Sequence, residues 1–489
     1  MTIQLPPEVG VALGIVALVL DIAIRVLSLI FVPRNRRPQT ALAWLLLIWF
    51  QPYLGIIFFW IFGRARLPRN RRRRQREVNE YILETTEGFD RVKRDPPWPS
   101  WLEPIVNLNR SLGSMPLVGG NAAEMWADNQ VSLDHMVDEI RQAEKTVHAE
   151  FYILSLDDTT RPFFDALQDA HDRGVKVRVL LDHLGNFPYP GYRRTIRWLK
   201  KSGVRWHLML PFQPWRLLVQ RPDLRNHRKL LVIDGEVAFT GSQNIIETPY
   251  QKRGNHRRGL HWKDYMVRFE GPVVAGLDAL FLTDWYSETG DLLEREAAPA
   301  RKTGGGDIDC QVVPSGPGFP GENNLRMFNS LVYAAQERII LVSPYFVPDD
   351  SMLYAITTAA QSGLDVQLFV SEIGDQFFVF HAQRSYYEQL LRAGVRIFRY
   401  ARPTILHAKH FTIDDQVSVI GSSNLDMRSF TLDLEVSVMV RGGRFLEQLR
   451  AIEDDYRSSS TELTLEEWLS RPLYRRILDH VARLTAAVQ

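Results

Sequence analysis

The sequence predicts an α/β protein made of two homologous halves and preceded by a pair of hydrophobic spans. Three observations carry this. "NHRKLLVIDG" from Asn226 and "LHAKHFTIDD" from Leu406 both read His, one residue, Lys, four residues, Asp, 180 positions apart. At the same offset "TGSQN" supplies Gly241, Ser242 and Asn244, and "IGSSN" supplies Gly421, Ser422 and Asn424. Two long apolar runs open the chain. A six-residue constellation repeated at one fixed offset is the mark of internal duplication.

A chain of 489 residues with 45% hydrophobic content is long for one domain and comfortable for two or three. The net charge of +2 hides an asymmetry. Residues 1–78 hold twelve Arg against Glu8, Asp21 and Glu77, a net +9, and the rest of the chain is net −7. Basic charge is therefore concentrated in one block and not spread over a nucleic-acid face. The one cysteine, Cys310, excludes an intramolecular disulfide and suits a reducing compartment.

In chain order, residues 1–63 form a membrane region with spans at about 9–32 and 41–63, each near the roughly 20 apolar residues a helix needs to cross. Residues 2–8 carry no basic charge and no small-residue cleavage site follows, which argues against a removable signal peptide. Asp21 and Arg25 lie four apart, so a helix would pair them, and they leave the first span open to a re-entrant reading. The loop "PRNRRPQT" has three Arg and "RARLPRNRRRRQR" after the second span has eight. The larger cluster places residue 64 onward in the cytoplasm, with the loop outside if both spans cross. It also attracts anionic headgroups.

Residues 64–115 are a basic juxtamembrane segment and linker containing the stiff "PPWPSWLEP". The first half, 116–295, contains the strand-like runs "TVHAEFYIL" and "VKVRVLLD" around a helical stretch. Residues 296–309 are a linker by composition. The second half, 310–489, repeats the pattern with "RIILVSPYF" and "LDVQLFVSE", and closes on "EEWLSRPLYRRILDHVARL", a helix packing on that half. "LMLPFQPWRLLV" (208–219) and "FFVF" (377–380) are aromatic, apolar candidates for lipid contact.

On a strand, His227 and Lys229 share a face, while Asp234 has the other parity and sits at the turn, a structural position. Asp234-Gly235 signals a two-residue hairpin. Ile233 should then pair with Glu236, Lys229 with Thr240, and His227 with Ser242. By the same count His407 should meet Ser422, with Lys409 alongside and Asp414 at the turn. Each half would gather its own His, Lys, Ser and Asn, and Gly241 and Gly421 would admit a close backbone or ligand. Such a set suits a phosphodiester: Lys supplies charge, Ser and Asn supply hydrogen bonds, and His attacks or moves protons. Two sets give a nucleophile and an acid on opposite sides of one phosphorus. No HExxH, Cys/His spacing or dense carboxylate cluster signals a metal, and the site needs no cofactor.

These residues resemble the phospholipase D superfamily, whose HxKxxxxD motif stands here in duplicate. "RRPQTALAWLLLIWFQPYLGIIFFWIFG", "DLRNHRKLLVIDGEVAFTGSQNI", "SPYFVPDD" and "LHAKHFTIDDQVSVIGSSNLDMRSFTLDLE" resemble the bacterial cardiolipin synthases within it, over nearly the whole chain. The resemblance implies two pseudo-twofold-related halves of mixed sheet flanked by helices, a transmembrane helical hairpin, and residence in the bacterial inner membrane with both halves facing the cytoplasm.

The family's chemistry implies that two phosphatidylglycerols give cardiolipin and glycerol through a phosphohistidine. His227 would be the nucleophile and His407 the acid and then the base, an assignment the twofold makes reversible. The full motif sets, His227, Lys229, Asp234 and His407, Lys409, Asp414, would form the catalytic core. Ser242, Asn244, Ser422 and Asn424 would hold phosphate with the lysines. Asp264 and Glu435 match the carboxylates that the family places downstream of each motif to orient a histidine. The partners implied are phosphatidylglycerol and an anionic phospholipid membrane, not nucleic acid; oligomeric state is not legible. The same residues would serve hydrolysis to phosphatidic acid, or a phosphatidylethanolamine donor. A nuclease conflicts with the spans and the acidic remainder, and a catalytically dead scaffold with the two intact motif sets.

Overall fold

The computed structural model describes residues 7–34, 36, 38–63, 67–88, 97–213, 218–219, 221–293, 306–319 and 321–485, in two compact units, Met1–Arg66 and Leu67–Gln489. Most of the sequence-defined linker at 296–309, and residues 214–217 of the aromatic run, lie outside the described residues.

In the first unit the opening span is one helix, Pro7–Phe31, whose segment Val11–Phe31 has a mean hydropathy of 2.4 and is almost wholly uncovered by protein. Asp21 and Arg25 pair along it at 2.9 Å. The second apolar run departs from expectation. It breaks into Pro38–Phe50 and Pro52–Phe62, of 13 and 11 residues, or about 20 and 16 Å of helix. Pro52 explains the break, because it has no N–H and drives Gln51 out of the helical region, to φ −137° and ψ 75°.

The two short helices fold back on each other. Gly55 lies so close to the Ile48 backbone that a Cβ would overlap it. Trp44 meets Phe59 edge-on at 5.5 Å, and Val32, Ala41, Ile48 and Phe59 form a small core. Arg36, before the pair, donates to the Gly63 carbonyl at its end, at 2.6 and 3.1 Å. Residues 36 and 63 therefore sit at the same end of the unit, and the second run does not continue as a straight span. The break leaves no orphaned backbone group at Gln51, whose N–H bonds Leu47 O and whose carbonyl accepts from Gly55 N.

The second unit is organised on a 16-stranded sheet with a pseudo-twofold at its centre. Leu117–Trp126 and Ile308–Ser315 pair antiparallel across that centre. Outward through the first half run Met266–Glu270, Val237–Gly241, Lys229–Ile233, Thr146–Phe151, Lys176–Asp182 and Arg205–Met209. Outward through the second run Asp433–Arg441, Val417–Gly421, His410–Ile413, Arg338–Val342, Asp365–Ser371 and Arg396–Tyr400, with Ser460–Leu463 added at the edge. The order is the same in both directions, so the duplication seen in the motifs extends through the whole sheet. The strands nearest the centre are antiparallel, and the outer three of each half are parallel, so each half is mixed.

The hairpin register differs from expectation by one residue. Asp234 and Gly235 both have positive φ, and Ile233 O accepts from Glu236 N, as a tight turn demands. The ladder, however, resumes with Ile233 opposite Val237 and Leu230 opposite Thr240. Glu236 is an extra residue in the returning strand, a bulge that no sequence pattern announced. The second hairpin has the same offset, with Ile413 opposite Val417. The C-terminal stretch also differs: Pro472 separates two helices, Leu465–Leu469 and Leu473–Arg483, where one was expected.

Candidate active site

Both histidines stand just outside the strands that were expected to carry them. Arg225–Asn226 pairs with Asp433–Leu434 of the other half, and His227 N donates to Leu434 O at 2.9 Å. Reciprocally, Thr404–Leu406 pairs with His261–Lys263, and His407 N donates to Lys263 O at 2.8 Å. Each histidine is thereby delivered to the carboxylate of the opposite half. His227 Nδ1 lies 3.0 and 3.1 Å from the Glu435 oxygens, and His407 Nδ1 lies 2.7 Å from Asp264 Oδ1. With Nδ1 engaged, Nε2 is the nitrogen of each ring suited to meet a substrate.

This exchange corrects the expectation of one self-contained cluster per half. Ser242 does not face His227. Its hydroxyl donates to Asp264 at 2.7 Å and accepts from Tyr265 N at 3.1 Å. Ser422 donates to Glu435 at 2.5 Å and accepts from Val436 N at 3.0 Å. Each serine braces the carboxylate that serves the other half's histidine. Gly241 and Gly421 are required by backbone: a Cβ would overlap the carbonyl of Tyr265 or of Val436, and Gly421 has φ +153°.

Lys229 and Lys409 are fully buried, and each ammonium turns back to the carbonyl of its own motif histidine, at 2.6 and 2.7 Å. Lys409 also lies 3.1 Å from His407 Nε2. The asparagines differ. Asn244 accepts from Ile153 N at 3.2 Å and donates to the Tyr250 hydroxyl at 3.0 Å, whereas the Asn424 side-chain oxygen is buried with no hydrogen-bond partner among the described residues. Asp234 and Asp414 lie away from this cluster. Asp234 accepts from the backbone N–H groups of Glu144, Lys145 and Thr146, and Asp414 from those of Gln336, Glu337 and Arg338. Each clamps its hairpin to the start of a neighbouring strand.

Electrostatics separates the two sides. Burial, then Lys229, Lys409 and His407, hold His227 well below the usual imidazole value, so it is neutral at pH 7. Burial also lowers His407, but Asp264 opposes the shift. Burial alone would raise Asp264; His407, Lys409 and Ser242 outweigh it and keep that carboxyl below its ordinary value. Glu435 goes the other way, pushed by burial up to about 7. Burial and mutual repulsion bring Lys229 to about 7, and burial brings Lys409 to about 8.

Three tyrosines that sequence reasoning passed over wall the site. Tyr152 stands edge-on to His227 at 4.8 Å, and Tyr250 and Tyr345 approach His407 at 6.3 and 6.4 Å. Tyr152 and Tyr345 each follow the end of equivalent strands, in "EFYIL" and "SPYFV", and that repeated aromatic was the available signal. Arg428 was missed too. It bonds Asp433 at 3.2 Å and contributes to holding His227 neutral. Among the described residues, no three His, Cys, Asp or Glu side chains converge in the way a metal ion needs.

The duplicated fold and its two buried His–Lys pairs define a phospholipase D-like enzyme. The family model described as "Cardiolipin synthase, PLD-like domain" matches twice, at residues 136–262 and 329–455, and "Phospholipase_D-nuclease N-terminal" matches 22–64. Cardiolipin synthase A of Proteus mirabilis (strain HI4320) is 32% identical over 456 residues, covering 91% of this chain and 92% of that protein. Cardiolipin synthase A of Yersinia pseudotuberculosis serotype O:1b (strain IP 31758) is 33% identical over 481 residues, with 92% of each covered. The crystal structure of phosphatidylserine synthase from Haemophilus influenzae Rd KW20 shares the fold, with a TM-score of 0.59 at 15% identity over 80% of this chain and all of that one. The chain belongs to the cardiolipin synthases of the phospholipase D-like family.

Proposed function

We propose that this protein transfers a phosphatidyl group from one phosphatidylglycerol to another, forming cardiolipin and releasing glycerol. The carrying observation is the reciprocal exchange, in which two buried histidines share one site and each is held at Nδ1 by a carboxylate of the other half. His227 Nε2 attacks phosphorus and forms a P–N bond as the P–O bond to glycerol breaks. His407, in the fraction that carries a proton because Asp264 works against the lowering by burial, gives that proton to the departing oxygen. A hydroxyl of the second phosphatidylglycerol then yields its proton to His407 and attacks phosphorus. The P–N bond breaks and His227 is restored. Lys229 and Lys409, with Asn244 and Asn424, hold the non-bridging oxygens.

Ser242 and Ser422 act through the carboxylates they brace, not on the phosphate. Purified protein given phosphatidylglycerol alone should release one glycerol per cardiolipin formed. Phosphatidic acid as the sole lipid product, or no product until phosphatidylethanolamine is added, would overturn this reading.

For placement in the inner membrane, the fold-back of residues 38–62 favours one crossing by Pro7–Phe31 and a re-entrant pair after it. All eleven Arg between 34 and 76 then fall on one side, which the positive-inside rule makes the cytoplasm. The catalytic unit follows on that side, and residues 1–8 lie outside. This placement differs from the sequence-based expectation for "PRNRRPQT", which lay outside only if both spans cross. On a Cys310→Ser background, Gln4→Cys should react with an impermeant maleimide added to intact spheroplasts, and Asn35→Cys and Asn70→Cys only after permeabilisation. External labelling of Asn35→Cys would restore two crossings.

A further inference from the structure

The last helix, Leu473–Arg483, is inverted relative to an ordinary surface helix. Its buried residues are Asp479 and Ala482. Asp479 accepts from Arg471 at 2.7 Å, lies 2.7 Å from His381 Nδ1, and is 3.4 Å from Arg384. Arg476 reaches Glu388 at 3.5 Å, and Arg483 lies over the Tyr386 ring at 4.2 Å. The polar face is thus the one that meets the protein. The outward face carries Leu473, Ile477, Val481 and Leu484, spaced as one helical stripe, with Tyr474 beside it. Ile477 is 53% and Leu484 83% exposed.

This stripe has a neighbour. Helix Phe377–Arg384 lies alongside, joined through His381 and Arg384 to Asp479, and Phe377 and Phe378 on it are also exposed, at 57% and 59%. Phe377 touches the His381 ring at 4.5 Å. Gln376, directly before this pair, donates to the Tyr345 hydroxyl at 3.0 Å, and Tyr345 is one of the three tyrosines walling the histidines. Phe377 and Phe378 therefore follow directly in the chain on a residue hydrogen-bonded to the wall of the active site. Soluble proteins seldom expose a continuous patch of this kind without a partner.

We infer that the outer face of Leu473–Arg483, with Phe377 and Phe378, is a membrane-docking surface that seats the catalytic unit on the acyl–headgroup boundary beside the active-site wall. Three features select lipid as the occupant. The stripe is narrow and made of large apolar residues, the geometry of an interfacial helix. Arg475 is exposed next to it, placed to meet anionic headgroups. The patch is also linked, through Gln376 and Tyr345, to a site whose proposed substrate is itself a membrane lipid. That last feature rests on the function proposed above; the first two do not.

The test uses the full chain in phosphatidylglycerol proteoliposomes, on a Cys310→Ser background. A nitroxide on Ile477→Cys should collide with lipid-dissolved oxygen and be shielded from a water-soluble nickel chelate. A nitroxide on Arg475→Cys should show the reverse preference. Water exposure of the Ile477 label overturns the proposal. So does a label shielded from both relaxers together with cross-linking of two copies through Ile477→Cys, which makes the surface a self-interface. Neither readout depends on turnover, so failure of the catalytic reading is seen separately, in the product assay. In the Ile477→Glu/Val481→Glu variant, turnover on vesicles should drop about tenfold relative to turnover on monomeric short-chain phosphatidylglycerol. An unchanged ratio also counts against docking.

Discussion

The two halves of the catalytic unit are equal in topology and unequal in electrostatics. Each presents a histidine on an Nδ1 contact, a buried lysine and a serine-braced carboxylate. Yet Asp264, behind His407, is held ionised, whereas Glu435, behind His227, is pushed up to about 7. A firm anion stabilises an imidazolium, and a carboxyl near its own titration point does so less. The side with Asp264 therefore suits proton donation, and the His227 side suits attack by a neutral ring. Duplication supplied the parts, and their surroundings diverged, which is the basis of the roles proposed for them. Arg228, fully buried and bonded to Asp284 and to Glu435 O, has Ala408 as its counterpart, so the asymmetry reaches into the core.

The largest test of this comparison is at the histidines. His227→Ala and His407→Ala should each lower turnover on phosphatidylglycerol by at least about 10⁴-fold. With an activated diester whose leaving group needs no acid, His407→Ala should still release that group in a burst and accumulate phosphoenzyme at His227. His227→Ala should do neither. Peptide mapping of trapped radiolabel decides the matter, and label at His407 in the His227→Ala protein would exchange the two roles.

A smaller effect is expected one contact away. Asp264→Asn should cost about 10²-fold, and Glu435→Gln about tenfold, in kcat. The Asp264→Asn loss should shrink with the activated diester, because its defect lies in proton donation, while the Glu435→Gln loss should not. Equal losses that ignore the leaving group would erase the distinction between the halves.

The pH profile sharpens the same comparison. A lysine holds phosphate only while protonated, so its contribution is present below its pKa and lost as pH rises through it. With Lys229 at about 7 and Lys409 at about 8, and Glu435 gaining charge near 7, kcat/KM for an anionic diester should decline as pH climbs from about 7 to 8. The first loss is on the His227 side. A profile flat to pH 9 would mean that the lysines stay charged.

The smallest effect is expected at the turns. Asp234→Ala and Asp414→Ala each strand three backbone N–H groups and should cost about 2 kcal/mol of stability. Turnover of the folded fraction should be little changed. Thermal unfolding in detergent, read beside activity per folded molecule, checks this. A loss of activity without a loss of stability would move these aspartates into the chemistry.

The sequence by itself determined the duplication, the α/β class, the apolar N-terminal region and the identity of the groups in the site. These are legible because side-chain type and spacing are local properties: His227 and Lys229 repeat at His407 and Lys409 whatever the chain does between them. Partnership was not legible. Parity on an ideal strand paired His227 with Ser242, but a one-residue bulge at Glu236 shifts the register, and the histidine leaves the strand to join the other half. Likewise the hydropathy of residues 41–63 could not say whether Pro52 kinks a span or reverses it. Packing of Gly55 against Ile48 and the Arg36–Gly63 contact make that decision. In each case the deciding interaction joins residues distant in the chain or turns on a single backbone group. Only the folded structure fixes which carboxylate meets which histidine, because the twofold that carries one half's strand to the other half's edge is a property of the assembled sheet.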